Sequence, residues 1–141
     1  MKINLRNISK FVWDYILYLR NENFKNSFYE QKKPIQQQEH HDYMKKQFSN
    51  PNFHHWIATD GKNNLGYIRI LDQDISILVG KKFQTKGIGT IMLKLVEEKA
   101  KNLHIKKLKA IVLPENEISK KIFVKNDYSL KMNIFEKILS N

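Results

Sequence analysis

Gln84-Thr85-Lys86-Gly87-Ile88-Gly89-Thr90 is the stretch of this chain best suited to hold an anion. It stands between two apolar patterns. Ile75, Ile77 and Val79 alternate, as on one face of a strand. Ile88, Ile91, Met92, Leu95, Val96, Ala100 and Leu103 recur at helical spacing. A loop that opens a helix presents unpaired backbone N–H groups to a phosphate, and glycine lets that backbone come close. The order strand, loop, helix therefore predicts a site for a phosphate-bearing cofactor held by main-chain atoms. It is not a Walker A loop, because Ile88 follows Gly87 where Lys is required. It is not the dinucleotide fingerprint, because no third glycine stands at the needed offset.

The pattern Gln84-x-x-Gly87-x-Gly89 after an Ile/Val-rich strand resembles the acetyl-CoA loop of the GNAT superfamily of N-acetyltransferases. A second segment supports the likeness. After the apolar run Leu108-Lys-Ala-Ile-Val-Leu113 come Asn116, Ser119, Phe123 and Tyr128, similar to that superfamily's second signature. The resemblance implies an α/β fold, a mixed and mostly antiparallel sheet flanked by helices, with acetyl-CoA as cofactor. It implies that Gln84, Thr85, Lys86, Gly87, Ile88, Gly89 and Thr90 hold the pyrophosphate. Backbone N–H groups at Leu78 and Val79 would meet the developing oxyanion. Asn116 would contact the pantetheine. Phe123 falls where many members carry a tyrosine that protonates the leaving thiolate, and it has no proton to give. Tyr128 either takes that role or packs as an aromatic.

Leu19-Arg20-Asn21, Pro34-Ile35 leading to Glu39-His40 and Tyr43, and Gly66-Tyr-Ile-Arg69 before Asp74-Ile-Ser-Ile resemble one branch, whose members act on nucleotide-linked amino sugars of surface glycans. Ribosomal-protein-modifying acetyltransferases share part of the pattern. On that likeness Asp74 is the first candidate to take the proton that the amine must lose, or else it ends the Asp72-Gln73 turn. His40 is the second candidate, with an ordinary pKa of about 6.5, or else a helix-surface histidine. Arg20, Asn21 and Arg69 are candidate acceptor-binding residues, since the planar guanidinium fork suits phosphate. Each also reads as an ordinary surface or paired residue. Arg69 alternates with Ile68 and Ile70, so it points away from what they bury. Trp56 faces a sugar or uracil ring, or belongs to the core.

The elements that must position these residues are readable in outline. The 141 residues suit a single domain, 1–141. Residues 3–6 predict a strand, Ser9 a helix N-cap, and Pro34 the start of a second helix. Phe53–Thr59 and Leu65–Leu71 predict a hairpin turning at Asp60-Gly61. The strand at 75–79, the helix from Ile88, a strand at 108–113, a helix after Asn116 and one or two strands at 128–139 follow. With no cysteine, disulfides, thiolate metal sites and an acetyl-cysteine intermediate are excluded, so acetyl would pass directly from donor to acceptor.

No metal is expected, because adjacent histidines at 54–55 point to opposite strand faces. The formal net charge of +11 suits polyanionic cofactors and substrates, and the scattered lysines do not favour a nucleic-acid partner. No apolar run approaches a membrane span and the first residues lack the apolar centre of a signal peptide, so a cytoplasmic protein is expected, with a homodimer as one option. Two alternatives stay open: a protein or peptide N-acetyltransferase, and a non-catalytic acyl-CoA-binding module.

Overall fold

Alternation writes the sheet. In the computed structural model, which describes residues 2–27 and 31–140 and the side chains outside 24–30, four strands pair antiparallel in the order β1-β2-β3-β4. They are β1 (Asn4–Asn7), β2 (Phe53–Thr59), β3 (Asn64–Leu71) and β4 (Asp74–Val79). Between β1 and β2 lie α1 (Trp13–Ser27) and α2 (Gln37–Phe48); after β4 come α3 (Ile88–Asn102) and α4 (Glu117–Lys125). Short 3-10 turns at Lys10–Val12 and Lys81–Phe83 lead into α1 and follow β4.

One sheet face carries α3. There Trp56, Ala58, Ile68, Ile70 and Ile75 pack with Ile88, Met92, Leu93 and Val96. The other face carries α1 and α2, where Ile57, Tyr67 and Leu78 pack with Trp13, Ile16, Leu19 and Met44. Burying nine largest side chains to below 2% exposure gives the sheet a firm centre on which the loops can be placed.

The architecture agrees with the sequence reading, a mixed α/β fold with helices flanking the sheet. Several boundaries differ. Ser9 makes no side-chain cap and stands before the 3-10 turn, while α2 begins at Gln37, past Pro34. The strand expected at 108–113 is reduced to one parallel bridge, Asp74 with Lys109. Residues 129–140 form no helix or strand and are exposed throughout.

Candidate active site

The single bridge at Lys109 opens a gap in the sheet. Ile75 donates its N–H to Lys109 O at 2.8 Å, and Lys109 donates to Gln73 O at 2.8 Å. Beyond that point β4 and the following segment part. Successive residues of a strand turn their backbone groups to opposite neighbours. The odd-numbered residues of β4 therefore face the gap and the even-numbered ones face β3; Gly80 N–H, donating to Leu65 O at 2.9 Å, fits that parity. The N–H groups of Ile77 and Val79 point into the gap, with no acceptor among the described residues. This corrects the expectation for Leu78. Its amide belongs to the β3 ladder opposite Tyr67, and its buried side chain faces α1 and α2.

The loop between β4 and α3 is built for an anion. The first helical bond of α3 runs from Ile91 N–H to Gly87 O at 3.2 Å, so the amides of Ile88, Gly89 and Thr90 have no helical acceptor. Gly87 has φ +78° and open space where a Cβ would stand. Thr85 is held at φ 65°, costly for a β-branched residue, and its hydroxyl donates to Gln84 O at 2.6 Å. At Gly89 a Cβ would lie 3.0 Å from Ile122 Cδ1, so α4 approaches α3 closely there. Ile88 is buried and pins the helix start to the core, which leaves its amide to serve the loop. Lys81, Lys82 and Lys86, all exposed, add positive charge to the same loop.

Gln84 does something the motif does not announce. Its side-chain amide donates to Val79 O at 2.9 Å and to Asn23 Oδ1 at 3.1 Å, tying the loop to the end of β4 and to α1. Glu22 accepts the N–H of Lys81 at 3.0 Å. The end of α1 therefore clamps the loop through two side chains that sequence reasoning missed. No short-range pattern could have found them, since they stand about sixty residues away from what they hold.

On the α1/α2 side a small cavity of about 20 Å³ lies against β3 and β4. Arg20, His40, Tyr43, Tyr67, Arg69 and Ser76 supply its polar groups. Burial, followed by the neighbouring Arg69 charge among the unfavourable causes, lowers the pKa of Arg20, whose Nε donates to Gln31 Oε1 at 3.2 Å. Arg69 Nη1 donates to Asp74 Oδ2 at 3.0 Å and to Asp74 O at 3.1 Å. Asp74 thus closes the β3–β4 turn and stands beside a guanidinium. Tyr67 Oη and His55 Nδ1 are 3.0 Å apart. Burial holds the His55 pKa at about 4 and raises that of Tyr67.

The structure brings Arg20, His40, Arg69 and Asp74 to one place and takes others away. His40 is 2% exposed and its Nε2 sits 3.0 Å from Trp13 O, so it joins α2 to α1 rather than meeting solvent; burial lowers its pKa. Asn21 brackets Ile35, donating to its O at 3.0 Å and accepting its N–H at 2.8 Å, and so shapes the chain before α2. Trp56 is 7% exposed in the core on the α3 face, opposite the arginine cavity, which corrects its placement as a ring-stacking surface. Tyr128 donates to Glu97 Oε2 at 3.0 Å. Glu97 is about 13 Å along α3 from its first turn, so this hydroxyl is not at the loop. Phe123 packs edge-on against Tyr128 with centroids 5.1 Å apart. Asn116 caps α4, its Oδ1 accepting from Ser119 N at 3.1 Å.

The model of the acetyltransferase (GNAT) family matches residues 13–128. The chain belongs to that family. It is an acetyl-CoA-dependent N-acetyltransferase, and the loop amides, the glycine cradle and the open gap beside β4 fit that cofactor's anionic and extended parts. Solved structures agree in fold. A domain from Methanocaldococcus jannaschii is 26% identical, with TM-score 0.79 over 91% of this chain and 88% of that one. The spermidine N-acetyltransferase of Vibrio cholerae, solved with CoA and spermine, is 17% identical, with TM-score 0.84 over 99% and 88%. A phosphinothricin N-acetyltransferase homologue is 19% identical, with TM-score 0.74 over 89% and 82%. No curated protein matches the chain by sequence. Among the described residues, no helix is long and apolar enough to cross a membrane.

Proposed function

We propose that this N-acetyltransferase, one domain over residues 1–141 working in the cytoplasm, acetylates the primary amine of an acceptor that also carries an anionic group, in first place a nucleotide-linked amino sugar. The observation that carries the reading is the convergence of Arg20 and Arg69 on one cavity beside β4. Arg20 and Arg69 bring two guanidinium groups to the cavity, and Asp74 bonds Arg69 through Oδ2. Two guanidinium groups attract a phosphate and repel a polyamine. At about 20 Å³ the closed cavity holds one water, so an acceptor enters by displacing the long side chains of Arg20 and Tyr43.

When bound, acetyl-CoA supplies an activated thioester. The amides from Thr85 to Thr90 would hold its pyrophosphate, and the N–H groups of Ile77 and Val79 would face its carbonyl oxygen. The same positive cavity that draws the acceptor disfavours an ammonium ion and so helps the amine reach its neutral, nucleophilic form. Asp74, Ser76 and Leu78 stand on one face of β4. Asp74 takes the proton through water along that face, with Arg69 fixing the carboxylate. Phe123 offers no proton, so protonation of the leaving thiolate would fall to water.

The test is thiol release from acetyl-CoA with a panel of nucleotide-linked 4-amino sugars, lysine peptides and polyamines. The absence of cysteine removes any protein background. Release confined to the sugar nucleotides is expected. Faster release with polyamines or peptides overturns the acceptor reading, and acetyl-CoA binding without release under any acceptor favours the non-catalytic module.

A further inference from the structure

Strand register sets Tyr67 at the level of the gap. It stands directly opposite Leu78 of β4, and Leu78 lies between Ile77 and Val79, whose N–H groups open on that gap. Paired Cα atoms of antiparallel strands are about 5 Å apart. The Tyr67 side chain turns to the α1/α2 face and lines the cavity together with Arg20 and Arg69. His55 stands in the next row of the same face, opposite Arg69, which is itself opposite Ser76.

The direction of the Tyr67 hydroxyl follows from its neighbours. The charges of Arg69 and Arg20 both bear on it, and a guanidinium has donors but no acceptor. A hydroxyl proton turned toward them would meet only donors. His55 Nδ1 lies 3.0 Å from Tyr67 Oη. Burial holds the His55 pKa at about 4, so the ring is neutral at ordinary pH and one of its nitrogens carries a lone pair. Tyr67 therefore donates to Nδ1, and His55 keeps its own proton on Nε2. An edge-on contact with Phe53, centroids 4.7 Å apart, fixes the His55 ring. With its proton committed, Tyr67 Oη turns its lone pairs to the cavity. Burial raises its pKa, so it stays a phenol.

We propose that Tyr67 Oη accepts an N–H from the acceptor's amine and aims that amine at the thioester, and that His55 is the positioning residue that keeps the hydroxyl turned to receive it. This rests on the reading of the cavity as the acceptor site. A neutral amine that gives one N–H to Oη keeps its lone pair for the carbonyl carbon. No proton passes to Tyr67 or His55; each only holds a direction. The two arginines suit the acceptor's anionic group, and Tyr67, a neutral acceptor of hydrogen bonds, suits its amine. One face of the sheet thereby offers separate contacts to the two ends of one molecule.

Histidine 15N NMR of the intact chain reads the tautomer with no acceptor present. Neutral His55 with its proton on Nε2 is expected; a proton on Nδ1 overturns the proposal. The kinetic arm uses whichever amine the thiol-release panel shows to be turned over. An acceptor other than a sugar nucleotide then defeats the functional reading and still leaves this one to be decided. Tyr67→Phe should lower kcat for the amine by about tenfold or more, with its KM changed by less than about threefold and acetyl-CoA binding in calorimetry unaltered. His55→Phe, which keeps a ring against Phe53, should match that loss, and the double variant should be no worse than Tyr67→Phe alone. His55→Asn, whose Oδ1 can stand where Nδ1 does, should recover most of the rate. Full activity in Tyr67→Phe overturns the proposal. So do additive losses in the double variant, no recovery with His55→Asn, or an equal fall in acetyl-CoA binding, which marks the pair as structural only.

Discussion

The two faces of the sheet are made by the same strands and could hardly differ more. Along β3, Ile68 and Ile70 face α3 while Tyr67 and Arg69 face α1 and α2. Along β4, Ile75 and Ile77 go one way, and Ser76 and Leu78 the other. The α3 face is dry and apolar. The α1/α2 face carries two arginines, two tyrosines, a histidine and a serine around a small void. A cofactor held by backbone needs a rigid platform and little side-chain chemistry, whereas an acceptor must be chosen by side chains. On the function proposed here the apolar face provides the first and the polar face the second.

If the division holds, damage to each face should have its own signature. The largest effect is expected from Met92→Ala, where a side chain with no exposure is removed from the α3 face. It should cost about 2–5 kcal/mol in urea unfolding and leave KM for the acceptor nearly unchanged in the folded fraction. Gly89→Leu should fold, with Ile122 displaced, yet lose acetyl-CoA affinity by about 100-fold in calorimetry, since the loop amides lose their close approach. Arg69→Met or Arg20→Met should raise acceptor KM by about tenfold or more, with acetyl-CoA binding unaltered, as expected for loss of a charged hydrogen bond. An equal rise in both constants would mean that the two faces are not separable.

The smallest effect concerns pH. Burial holds His55 at about 4 and lowers His40 as well, against about 6.5 when unfolded. Between those values the unfolded chain binds more protons, so the stability from these buried neutral rings is present above about pH 6.5 and is lost as pH falls toward 4. Thermal melting should drop by about a few degrees across that window, and His55→Phe should flatten the drop.

Much of this was legible in the chain. The strand before the loop, the loop itself and α3 are local patterns, and they appear almost residue for residue at Asp74–Val79 and Ile88–Asn102. Arg69 pointing away from Ile68 and Ile70 followed from strand geometry alone. What failed was anything that depends on depth or on a distant neighbour. Trp56 has the right chemistry for a site, but burial in the α3 core removes it, whereas His40 lines the cavity with its Nε2 set against Trp13 O. Leu78 and Ile77 differ in role because of ladder parity, which the pairing of Ile75 with Lys109 decides. Asn23 and Glu22 carry no motif, and only the folded chain sets them on the loop.

One consequence of that last contact reaches beyond geometry. Arg20 lines the cavity proposed for the acceptor, and Asn23, less than one helical turn later, holds Gln84 of the loop before α3. Both ligands therefore press on the same stiff rod, α1. Thermodynamic reciprocity then ties their affinities: by whatever factor an acceptor changes the grip on acetyl-CoA, acetyl-CoA changes the grip on that acceptor. Asn23→Ala combined with Glu22→Ala removes both side-chain ties between the rod and the loop, so it should turn a coupled pair of binding equilibria into two independent ones.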